Sequence, residues 1–95
     1  MVSINEELRA AKAAKAAIDA LSMATPKSEV LATLSKAKNA AILNLSSGGA
    51  LNEARISVGI ALSNVIHGMP TQEEVNKAKR VIETWIRELE ASPAA

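Results

Sequence analysis

The sequence predicts an all-α protein: apolar residues recur every three to four positions along four stretches, two of the stretches open on capping-box spacings, and short Gly-, Pro- or Ser-containing segments separate them. Four such helices with short connections make a four-helix up-and-down bundle, or two packed helical hairpins, in one domain over residues 1–95.

The first helix is expected over residues 4–23. Ser3 and Glu6 have capping-box spacing, and Ile4, Leu8, Ala11, Ala14, Ile18 and Leu21 line one face. Glu6 and Glu7 lie in its first turn, where acids complement the helix dipole. Seven alanines between positions 10 and 20 favour helix and let a neighbouring backbone come close. The second helix, 26–45, starts at Thr25-Pro26, follows Val30, Leu34, Ala37, Ala41 and Leu45, and stops at Ser46-Ser47-Gly48-Gly49.

The third helix, 51–67, is the most apolar. Leu51, Ala54, Val58, Leu62 and Val65 form one face, while Ile56, Ile60 and Ile66 cover much of another, so nearly all-round burial is expected. Gly59 and Ser63 form a small notch on it, and Gly68 and Pro70 end it. The fourth helix, 72–91, opens on the Thr71/Glu74 capping box and places Val75, Ala78, Ile82, Trp85 and Leu89 on the core side. Glu73–Lys77 and Glu83–Arg87 have the spacing of helical ion pairs. A shift of 44 residues superposes Pro26 on Pro70, Ile18 on Leu62, Ile42 on Ile86 and Leu45 on Leu89, which raises a duplicated hairpin as an origin.

Composition narrows function mainly by exclusion. The net charge is +1, so no strong field draws the chain to nucleic acid or anionic lipid. Trp85 is the one aromatic residue, which leaves little for stacking bases or flat cofactors, and without cysteine there is no thiolate chemistry. The lone histidine, His67, precedes the helix stop at Gly68, and no Glu-x-x-His spacing suggests a metal. No catalytic residue, metal or cofactor is expected. The longest apolar stretch is broken by Ser57, Ser63 and Asn64 and is too short for a bilayer, so a cytoplasmic protein is expected.

Three functional readings follow. The first is a non-enzymatic protein-interaction module, such as an inhibitor or adaptor, that also self-associates through Ile56, Gly59, Ile60 and Ser63. The second is a binder of a small anionic ligand, a phosphorylated or cyclic nucleotide. It would use the backbone of Gly48 and Gly49 at a helix start with charge from Arg55, Lys36 and Lys38. The third is a helix-turn-helix built from the last two helices, presenting Gln72, Asn76, Lys77 and Arg80 to DNA. Glu73 and Glu74 at its leading end would face phosphates, so nucleic acid is the least favoured partner.

Between residues 26 and 44, Pro26, Glu29, Leu34, Ser35, Lys36 and Ala40 fall in an order that resembles the helical hairpin of phage-encoded cyclic-oligonucleotide sponges. Ser28 stands where that family has arginine, and Leu43 where it has tryptophan. The resemblance implies a helical phage protein that sequesters a cyclic oligonucleotide.

Overall fold

The computed structural model describes residues 2–21, 28–45, 49–68 and 70–92. They form α1 (Ile4–Leu21), α2 (Ser28–Leu43), α3 (Ala50–Ile66) and α4 (Gln72–Ala91). The starts of α1, α3 and α4 have local causes. At α1 the Glu6 N–H donates to Ser3 Oγ at 3.1 Å. At α4 the capping box closes both ways: the Glu74 N–H donates to Thr71 Oγ1 at 3.1 Å, and the Thr71 N–H donates to Glu74 Oε1 at 3.1 Å. α3 starts without a side-chain cap after Gly49, whose φ of 95° is left-handed and favours glycine.

Some boundaries differ from those expected. α2 stops at Leu43 rather than at residue 45, and the Leu45 N–H donates to the Ile42 carbonyl in a tighter closing turn. The Asn44 side chain there is held by residues of other elements. α3 starts and ends one residue early, with the His67 N–H capping the Ser63 carbonyl. Thr25, Pro26 and residues 46–48 lie outside the described residues.

The helices form a ring in which α1 packs on α2 and α4, and α3 packs on α2 and α4. Sequence neighbours run antiparallel. Val2, before α1, meets Asn44, after α2, and Lys12 pairs with Glu90 while Asp19 pairs with Lys79 along α1 and α4. This is the up-and-down bundle the periodicity predicts. The core takes Ala11, Ala14 and Ile18 from α1, Leu34, Ala37 and Ala41 from α2, Val58 and Leu62 from α3, and Ile82, Trp85 and Leu89 from α4. Alanines at so many core positions allow narrow spacing but bury little apolar area each. Trp85 is the largest fully buried side chain.

Three further expectations meet the structure here. The ion pairs among the described residues join different helices, and neither Glu73–Lys77 nor Glu83–Arg87 is among them. Arg87 Nη2 instead donates to Thr84 Oγ1 at 3.2 Å. The nearly all-round burial expected of the third helix is not found, because α1 does not pack on it and Ile56 and Ile60 stay exposed. The offset of 44 residues aligns buried positions in α1 and α3 but fails at the ends of α2 and α4. There Leu45 is 41% exposed and Leu89 is 1% exposed.

Candidate functional site

Two features stand apart from an ordinary apolar bundle: a buried polar cluster at one end, and an apolar face on the outside of α2 and α3. The cluster centres on Glu7, fully buried near the start of α1. Arg55 of α3 grips its carboxylate with two bonds, Nε to Oε2 at 2.8 Å and Nη2 to Oε1 at 2.7 Å. Asn44 Nδ2 donates to Oε1 at 2.7 Å, and the Trp85 indole Nε1 donates to Oε2 at 2.7 Å. One carboxylate thus receives a donor from, or just after, every other helix. Arg55 Nη1 also donates to the Asn44 carbonyl at 2.9 Å. Asn44 Oδ1 accepts from the Val2 N–H at 3.1 Å, and its Nδ2 donates to the Val2 carbonyl at 3.0 Å. Among the described residues no buried side-chain polar atom lacks a partner.

Burial pushes the Glu7 carboxyl up, but the hydrogen bonds from Arg55, Asn44 and Trp85, with the Arg55 charge, outweigh it and hold the group below the usual carboxylate range. A carboxylate so enclosed and saturated has no lone pair facing a substrate. Sequence reasoning placed Glu7 among first-turn acids and missed this role. The available signal was phase, since Glu7 precedes Ala11, Ala14, Ile18 and Leu21 on the buried stripe of α1.

The candidate anion residues do not converge. Arg55 is buried and engaged by Glu7, so its charge is answered inside the bundle. Lys36 is exposed on the α1 side of α2, Lys38 is half-buried, and Gly49 caps α3. Gly48 lies outside the described residues. Lys36 does line an open groove of about 940 Å³ between α1 and α2, with Arg9, Glu6, Thr33, Ser35 and Asn39 around alanines and the exposed Leu43. On α4, Gln72, Asn76, Lys77 and Arg80 are exposed, and Gln72 Nε2 donates to Asn76 Oδ1 at 3.0 Å. His67 is exposed at the end of α3, and among the described residues no three His, Asp or Glu side chains gather as a metal site. No helix of the described residues is long and apolar enough to cross a membrane.

The four candidate interface residues do come together. Ile56, Gly59, Ile60 and Ser63 line a shallow groove of about 370 Å³ with Ile42 and Leu45 of the α2 end. Ile42, Leu43, Leu45, Ile56 and Ile60 are the exposed large hydrophobic residues among those described, and all five lie on α2, just after it, or on α3. No protein-family model, curated protein or solved structure matches this chain.

Proposed function

We propose that the chain is a non-enzymatic protein-interaction module that binds through the outer face formed by the end of α2 and by α3. One observation carries the reading: of the five exposed large hydrophobic residues among those described, Ile42, Leu45, Ile56 and Ile60 gather on this face, Leu43 borders the α1–α2 groove, and none lies on α1 or α4. Apolar groups that a small domain leaves grouped in water mark interaction sites. The saturation of Glu7 supports the non-enzymatic part, since the carboxylate with the most distinctive environment is closed to substrate.

A small anionic ligand is the second reading, favoured by Arg9 and Lys36 on the rim of the α1–α2 groove. Native mass spectrometry of the protein purified from its own cells separates the two. The expected result is a complex with a protein chain that Ile56→Glu abolishes while the helical circular-dichroism signal stays. A co-purifying nucleotide that Lys36→Ala releases, with no protein complex, overturns the interaction reading.

A further inference from the structure

We infer that the outer seam of α3 pairs antiparallel with α3 of a second copy of this chain, forming a two-fold dimer. The inference rests on the interaction reading and names its occupant. Glu53, Ile56, Ile60, Ser63 and His67 follow one another at intervals of three, four, three and four. That spacing lays side chains in one stripe along a helix, as in a helix-pairing seam. The stripe faces away from the bundle, whose core takes Ala54, Val58, Ala61, Leu62 and Val65 from the same helix. Ile56 is 46% exposed and Ile60 58% exposed, while Glu53 and His67 are exposed at the two ends.

Polar complementarity at the two ends of the seam selects the partner. The seam is apolar in the middle, with an acid at its N-terminal end and an imidazole at its C-terminal end. Among the described residues neither end group forms an ion pair within the chain. Antiparallel pairing of two copies brings Glu53 of each toward His67 of the other, twice by symmetry. Parallel pairing would set like against like. Shape agrees with this pairing. The seam carries bulky Ile56 and Ile60 together with small Ser63, and among the described residues only the Ile42 side chain comes near the Cβ position of Gly59 beside it. A two-fold interface uses one patch on both partners, so bulges and recesses must lie on the same surface, as they do here. The exposed Ile42 and Leu45 border the seam and extend the area to be covered.

Sedimentation velocity on the full chain, from low micromolar to millimolar, tests the dimer. The wild type is expected to dimerise, and Ile60→Glu to be monomeric with its helical signal intact. Glu53→Lys should weaken the dimer by about tenfold. Glu53→Lys combined with His67→Glu should restore it, since exchanging the ends preserves antiparallel complementarity. A strictly monomeric wild type, a dimer indifferent to Ile60→Glu, or a double variant that fails to recover overturns the inference. A monomer that still binds a foreign chain in an Ile60-dependent way sinks only the dimer. Partner binding indifferent to both Ile56→Glu and Ile60→Glu removes the interaction reading as well.

Discussion

A carboxylate sealed from water costs several kcal/mol unless its lone pairs are met, and Glu7 meets that condition with four donors from three residues. Removing the charge strands the buried Arg55 guanidinium, so Glu7→Gln should cost about 3–5 kcal/mol in urea unfolding. That is a large part of the roughly 5–15 kcal/mol available to a small domain. The pH dependence follows from the direction of its shift. Glu7 titrates lower in the fold than in the unfolded chain, so between the two values the unfolded state holds the extra proton. The stabilisation is full above the ordinary carboxylate value and is lost as pH falls through the folded value. Urea titrations at a series of acidic pH values should show this slope in the wild type and not in Glu7→Gln. An equal slope in both would place the acid sensitivity elsewhere. Trp85 contributes twice, as bulk and as donor. Trp85→Phe should cost about 1–3 kcal/mol for the lost N–H, and Trp85→Ala about 3–5 kcal/mol, both read from urea midpoints. The burial of Trp85 was legible from its phase with Ile82 and Leu89. Its bond to Glu7 was not, because the partners lie 78 positions apart and helical period carries no information across helices.

Among the elements, the capping signals at Ser3 and Thr71 gave the starts of α1 and α4 directly, since a cap is a contact over three residues. The end of α2 was misplaced because its cause is not local. Asn44 turns to Val2 and Glu7 of the neighbouring helix, and the chain leaves the helical path around it. On α3, Gly59 looked like a notch for close helix approach. A Cβ there would lie 3.7 Å from Ile42 Cγ1, an ordinary contact. Gly59→Ala should therefore raise stability, by up to about 1 kcal/mol from helix propensity, measured as the urea midpoint at low micromolar concentration. A loss of stability would show that the helices there need to approach more closely than they do in this fold.

Across the whole molecule, the ring of four antiparallel neighbours was legible because short connections leave little other choice. Which end carries the polar cluster was not, since Glu7, Asn44, Arg55 and Trp85 come together only after the helices are in place. The cluster is expected to favour this packing over alternatives of similar apolar burial, since a packing that separates Glu7 from Asn44, Arg55 and Trp85 leaves a buried charge unpaired. Combining Glu7→Leu, Asn44→Leu, Arg55→Met and Trp85→Phe in one chain should leave unfolding free energy equal or higher, as apolar substitutes often do. The cost should appear instead as broad, poorly dispersed amide resonances in NMR spectra, the mark of several packings in exchange. Sharp, dispersed spectra would show that apolar shape alone specifies the bundle.

The position of the cluster also gives the molecule a direction of opening. Glu7, Asn44, Arg55 and Trp85 clasp one end, while at the opposite end Leu21 and Val65 are buried with no comparable buried polar cluster among the described residues. Fraying should begin at the unclasped end and reach the indole last. On gentle heating, helical circular dichroism should fall before tryptophan fluorescence changes, so the chain's single tryptophan acts as a clock for the final stage of unfolding.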